Sequence, residues 1–174
     1  PGLKAAAYLP RDNPRDVILF RPNILEKLRK DEEIILGSSS PRREELIPPF
    51  LAKALPQIGS QPPKITCRPV RGSVDTRLKK VRAGEDKGEP LDGLIMAFAG
   101  LSRFYEDPDG HAKMADLLEG LRWMVMPVTV CPGAPGQAVV CIEAHEDRAD
   151  VLKALQAIND PASQTQVEVE RGIL

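Results

Sequence analysis

The chain has 174 residues, 42% of them hydrophobic and 28% charged, enough for one domain with a real core or one domain plus part of another. Its 24 lysines and arginines meet 25 aspartates and glutamates, a formal net charge of −1, so any anion binding must come from local clustering rather than from a basic field. No apolar run is long enough to span a bilayer and no signal-peptide pattern is read at the start, so the expectation is a cytosolic or plastid-stromal protein without membrane contact.

In chain order, short apolar and partly β-branched stretches predict strands at residues 3–9, 17–20, 34–36, 65–70, 94–98, 123–130 and 139–144. Helical periodicity lies between them, at 24–30, 42–54, 74–82, 112–121 and 149–158. In the third of these helices Val74, Leu78 and Val81 share one face, which leaves Lys79, Lys80 and Arg82 for solvent. The alternation predicts an α/β fold whose sheet is mixed and mostly parallel, flanked by helices. Polar segments rich in Gly and Pro at 57–64, 83–90 and 105–110 read as loops, and 131–136 as a bend between two regions. The chain opens at Pro1 and stops within a helical stretch after Asp160–Pro161, so it is expected to be a piece of a longer protein.

Four segments carry the chemistry, the first two of them strand-to-helix junctions. In IILGSSSPRR (34–43) an apolar strand meets Gly37, three serines, Pro41 and two arginines. Pro41 at the first helical position with Ser40 as N-cap opens a helix, and its free N–H groups, dipole and the hydroxyls of Ser38–Ser40 suit an anion. Arg42 and Arg43 add forked donors that fit a carboxylate; the plain alternative is a capped helix with solvated arginines. CRPVRGSVDTRL (67–78) repeats the pattern with Arg71, Gly72, Ser73 and Arg77, and its plain alternative is an ordinary connection in which Arg77 pairs with Asp75. IMAFAGLSR (95–103) adds Gly100 and Arg103, and GAPGQAVVCIE (133–143) adds Gly136, which permits close backbone approach, and Gln137. Junctions of this kind converge in an α/β sheet because ligands bind at the carboxyl ends of its strands.

Other candidates keep plainer roles. Cys67, Cys131 and Cys141 form no CxxC and lie far from a His pair, so they read as reduced, buried thiols, and no metal site is expected. Trp123, with Met124 and Met126, reads as core; His111 and His145 read as surface residues, and Glu143 as one partner of a structural pair. The RLKKVR run (77–82) lacks interleaved aromatics and reads as a solvated helix face, so nucleic acid is not an expected partner.

The ordered set GSSSPRR, VRGSVDTRL, AFAGLSR and APGQ, with LPRDNPRDVILF before it and INDPASQ…ERGIL after it, resembles the porphobilinogen deaminase (hydroxymethylbilane synthase) family over essentially the whole chain. The resemblance implies a three-domain protein whose first two domains are like periplasmic binding proteins of type II. It implies head-to-tail condensation of porphobilinogen with ammonia release, on a covalently attached dipyrromethane primer, in the synthesis of haem and other tetrapyrroles. By matched position, Ser39, Ser40, Arg42, Arg43, Arg71, Gly72, Arg77 and Arg103 are implied to contact cofactor or substrate carboxylates, with Arg42, Arg43, Arg71 and Arg77 foremost. Gly136 and Gln137 match a glycine–glutamine stretch at the crossing between domains.

Residues 1–9 are then a crossing strand from a missing first domain, and 10–130 the second domain. Residues 131–174 are a return strand and helix belonging to the first domain, leading toward a missing third. The family's catalytic aspartate motif, His-Ser-x-Lys-Asp, has no counterpart, so no catalytic residue is expected in this chain. None of the three cysteines stands in the context of the primer-bearing one. Pro41, Ser73, Asp75 and Ala138 depart from the family's usual residues, and Asp75 is expected beside Arg71 and Arg77, where it weakens carboxylate binding or holds the arginines. Apolar surface left over on 131–158 predicts self-association. A binding-only relative that holds an organic anion is the competing reading.

Overall fold

The computed structural model describes residues 2–173. Pro1 and Leu174, the outermost residues of the two terminal segments in the domain reading, lie outside them. The chain forms two compact units, residues 15–132 and residues 1–14 with 133–174.

The larger unit is built on a five-stranded sheet of order β4-β3-β7-β2-β8. Its strands are β2 (Asp16–Phe20), β3 (Ile34–Gly37), β4 (Ile65–Arg68), β7 (Gly93–Ala97) and β8 (Arg122–Val125). β3 runs parallel to β4 and β7, while β2 is antiparallel to both β7 and β8, so β2 alone is reversed among five strands. A two-stranded hairpin, β5 (Glu85–Asp86) and β6 (Glu89–Pro90), occupies the segment expected to be a plain loop.

Strand alternation divides the core into two halves. Val17, Leu19, Leu94 and Met96 face a cluster with Leu78, Val81, Leu101, Met114 and Leu117. Ile18, Phe20 and Ile95 face the other, with Ile24, Leu28, Ile47, Leu51 and Met126. The first cluster is covered by α3 (Val74–Ala83), α4 (Phe98–Glu106) and α5 (Pro108–Leu118), the second by α1 (Ile24–Arg29) and α2 (Pro41–Ala54). Every side chain of β2 is buried, because helices cover both faces of a central strand. α2 continues through Pro48 and Pro49 despite the loss of two backbone donors, with Ile47 and Leu51 buried on its inner face.

Three expectations are corrected here. The segment 105–110, read as a loop, is the junction where α4 ends and α5 begins; Pro108 sits in the first turn of a helix rather than in a turn of its own. β8 stops at Val125 instead of running to residue 130. Trp123 is 44% exposed rather than core, because it lies on an edge strand, while Met126 next to that strand takes the buried position.

The smaller unit pairs β1 (Leu3–Tyr8) with β9 (Cys141–His145) in an antiparallel ribbon, with α6 (Ala149–Leu155), a short 3-10 turn and α7 (Pro161–Gly172). Asp160 caps α7 by accepting from the Ser163 amide at 2.8 Å, and Asn159 Oδ1 accepts from the Tyr8 amide at 2.9 Å. Glu143 lies opposite Ala5 in the ribbon.

Gly93 marks how tightly the sheet is packed: a Cβ there would stand 2.7 Å from the Leu19 carbonyl oxygen and 2.8 Å from Leu36 Cδ2. Gly93→Ala is expected to lower the free energy of unfolding by about 1–3 kcal/mol, read from denaturant melts. An unchanged midpoint would show that the sheet yields at this position.

Candidate anion-binding site

β3, β7 and β4 are neighbours and point the same way, so the helices that follow them, α2, α4 and α3, all start at one edge of the sheet. β2 is reversed, so its first residue, Asp16, reaches that same edge, opposite Ala97 at the end of β7. Topology alone thus gathers three helix N-termini and one carboxylate.

Asp16 is fully buried and is clasped by two guanidinium groups from the first turn of α2. Arg43 Nε and Nη2 donate to Oδ1 at 3.1 and 2.8 Å, and Arg42 Nη1 donates to Oδ2 at 2.7 Å. The buried Cys131 thiol donates to Oδ2 at 3.4 Å, and Arg42 Nη1 also reaches the Pro132 carbonyl at 2.6 Å. Burial pushes the Asp16 carboxyl up, but hydrogen bonds from the two arginines outweigh it and hold the group below the usual aspartate range. Asp16 was not singled out in the sequence. The signal was there: an acid directly abutting the apolar run VILF must be paired if the run is buried.

The serines knit the junctions together rather than cap them. Ser39 Oγ donates to the Val70 carbonyl at 3.1 Å and accepts from the Val70 amide at 3.2 Å, tying the β3–α2 loop to the β4–α3 loop. Ser38 Oγ accepts from the Ser40 amide at 3.2 Å. Ser40 is the N-cap of α2 and Ser73 of α3, yet neither side chain bonds a first-turn amide, and Ala97, before α4, has no oxygen to offer. Ser73 Oγ instead donates to Asp75 and pairs with Thr76 Oγ1. The N-cap residue's own side chain thus caps none of the three helices, although in α3 the Asp75 carboxylate accepts from the Thr76 amide.

Arg77, near the start of α3, is half-buried, and its Nε is buried with no hydrogen-bond partner. Burial lowers its pKa, and the neighbouring Arg43 charge lowers it further. Asp75 does not neutralise it: that carboxylate pairs with Lys113 at 2.9 Å and Lys79 at 4.0 Å, which corrects the expectation of an acid serving Arg71 and Arg77. The Ser73 and Lys113 hydrogen bonds hold Asp75 far below the usual aspartate range.

Arg71 is exposed, and its carbonyl accepts from Lys80 Nζ at 2.8 Å. Gly72 has φ +125°, a left-handed conformation, and a Cβ there would meet Thr76 Cγ2 at 2.8 Å. Arg103 lies exposed in the last turn of α4. Gly136 and Gln137 belong to the smaller unit. There the Gly136 amide donates to Glu170 Oε2 at 2.8 Å and Gln137 Nε2 donates to the Pro14 carbonyl at 2.6 Å. Arg11 bridges the two, bound to both oxygens of Glu170 and, through Nε, to the Gln137 carbonyl at 3.1 Å.

Chemically this edge suits a carboxylate: it gathers guanidiniums and helix N-termini around one internal carboxylate that is already matched. The three cysteines are unpaired. Burial raises the thiols of Cys67 and Cys131 to about 11, so neither is a ready thiolate at neutral pH. Among the described residues no His, Cys, Asp and Glu cluster suits a metal, and no helix is long and apolar enough to cross a membrane.

The family model "Porphobilinogen deaminase, dipyromethane cofactor binding domain" matches residues 1–153. A porphobilinogen deaminase of Syntrophomonas wolfei is 33% identical, covering 100% of this chain and 47% of its own length. One from Nostoc is 32% identical, covering 99% and 46%. The crystal structure of YhfZ from Shigella flexneri aligns with 100% of this chain and 63% of its own at TM-score 0.37 and 15% identity, too slight a likeness to carry an argument. The chain belongs to the porphobilinogen deaminase family, and it spans about half the length of the curated relatives it matches.

Because Asp16 is depressed in the folded state, its stabilising contribution is complete above the unfolded value, about 3.9, and is lost as pH falls through the folded one. Asp16→Asn is expected to cost about 3 kcal/mol at neutral pH, since it strands two partly buried guanidiniums. The gap between wild type and variant should narrow on acidification. Denaturant melts across the acid range test this, and a pH-independent gap would assign the loss to packing alone.

Proposed function

We propose that this chain supplies the carboxylate-binding portion of a hydroxymethylbilane synthase, in which porphobilinogen units are condensed head to tail with release of ammonia in tetrapyrrole synthesis. The single observation that carries the reading is the buried Nε of Arg77 beside Arg43, which has no hydrogen-bond partner among the described residues. Such a position costs stability unless a ligand carboxylate fills it. Every pyrrole in the chain bears acetate and propionate groups, so the growing product is an extended polyanion of the kind this edge suits.

In this reading Ser39, Ser40, Arg42, Arg43, Arg71, Gly72, Arg77 and Arg103 bind carboxylates of the dipyrromethane primer and of substrate. When bound, the primer would supply the pyrrole carbon to which the first unit is joined, and later units would join the end of the growing chain. Arg43 spends Nε and Nη2 on Asp16, and Asp16 fixes the direction of both guanidiniums. First-turn amides of α2, α3 and α4 orient the acid groups. Gly136 and Gln137 act from the smaller unit by fixing the chain where it passes between domains.

The larger unit is read as the second domain of a type II periplasmic-binding-protein-like pair, an assignment supported by one reversed strand set among four co-directional ones. Residues 1–9 and 131–174 then belong with a first domain contributed by further sequence. Exposed Leu3, Val140, Ile158 and Val169 on the smaller unit are where such sequence, or a second copy, would pack. The chain alone is proposed to bind but not to turn over, in a cytoplasmic protein.

Arg77→Leu is the direct test. Titration calorimetry of the 174-residue chain with porphobilinogen should show saturable binding that weakens about tenfold in the variant, the loss of one charge-assisted contact. The same substitution should hold or raise the melting temperature, because it removes an unpaired buried donor. Unchanged affinity with a lowered melting temperature would make Arg77 a structural residue and sink the site. Porphobilinogen consumption that appears only when the chain is extended by its flanking sequence would favour the synthase over a binding-only relative.

A further inference from the structure

A second site lies on the larger unit and has the opposite electrostatic character. α4 presents Phe98, Leu101, Ser102 and Tyr105 at helical spacing on one face. That face, with Leu118 from the end of α5, Glu119 just after it and Trp123 on β8, encloses a hollow of about 460 Å³. The floor is apolar, since Leu101 and Leu118 are nearly inaccessible, yet the aromatic walls are open: Tyr105 is 45% and Trp123 44% exposed. Tyr105 is held in place by His111, whose ring centroid lies 4.0 Å away and whose Nδ1 stands 3.0 Å from the Tyr105 carbonyl.

Two carboxylates, Glu106 and Glu119, complete the rim. Neither is in an ion pair among the described residues, whereas lysine and arginine partners meet Asp16, Asp75, Asp86 and Asp92 of the same unit. Glu119 also borders a smaller hollow with Arg21 and Arg82, so Glu106 is the cleaner probe of the rim. Exposed aromatic faces draw cations, unpaired carboxylates reinforce the preference, and the apolar floor asks for a hydrocarbon body. The arginine-lined edge of the same unit excludes such a ligand by charge, so the two sites would not compete.

We propose that this hollow binds a small organic cation, an ammonium group carried on an apolar or aromatic body. The inference does not depend on the porphobilinogen reading, and either can fail alone.

The chain contains one tryptophan, and it lines the hollow, so its emission reports this site without labelling. Titrating the 174-residue chain with benzyltrimethylammonium at constant ionic strength should give a saturable change in Trp123 fluorescence. Phenylacetate and benzyl alcohol, anionic and neutral counterparts of similar size, should give none over the same range. Glu106→Gln should weaken binding about threefold, and the double change with Glu119→Gln about tenfold. Both residues are exposed, so an unchanged melting temperature is expected alongside. Linear quenching without saturation, an equal response to phenylacetate, or full affinity in the double variant would each overturn the proposal.

Discussion

The larger unit depends on a buried carboxylate held by two guanidiniums. Asp16 stands at the head of the most deeply buried strand, and an unpaired charge there would be ruinous. Arg42 and Arg43 resolve it from the first turn of α2, and in doing so they pin that helix to the edge of the sheet. Two guanidiniums thus meet one carboxylate at the edge where, in the proposed reading, anions bind.

Arg77 adds to this cluster of positive charge. It sits close enough to Arg43 to feel its charge, and its buried Nε has no hydrogen-bond partner among the described residues. The nearest acid in sequence, Asp75, is drawn to Lys113 and Lys79 instead. Ser73 spends its hydroxyl on Asp75 and Thr76, and Ser39 spends its own on Val70. A sequence selected for stability alone would have matched Arg77 or replaced it. In the proposed reading, this donor at the edge where three parallel strands end serves a polyanion.

Much of this was legible from local pattern. The face Val74, Leu78 and Val81 predicts α3, and Leu78 and Val81 are buried. α2 was readable through Pro48 and Pro49 because Ile47 and Leu51 keep helical spacing across them. α4 was not readable. Its start, Phe98, follows the last strand residue directly, so no turn residue separates the two periods, and the polar run after Tyr105 resembles a loop. Trp123 was misread for a different reason: burial of a strand residue depends on whether its strand is central or at an edge, and strand order is a long-range property.

The sequence by itself determined the alternation of strands and helices, the serine–arginine junctions and the family, because these rest on local spacing and on an ordered set of short motifs. Only the tertiary structure decided which charges meet. Asp16 and Arg43 are 27 positions apart and are joined because β2 runs against its neighbours; Asp75 and Arg77 are two apart and do not pair. Coulombic partners are chosen by distance in space and by burial, and neither can be read from distance along the chain.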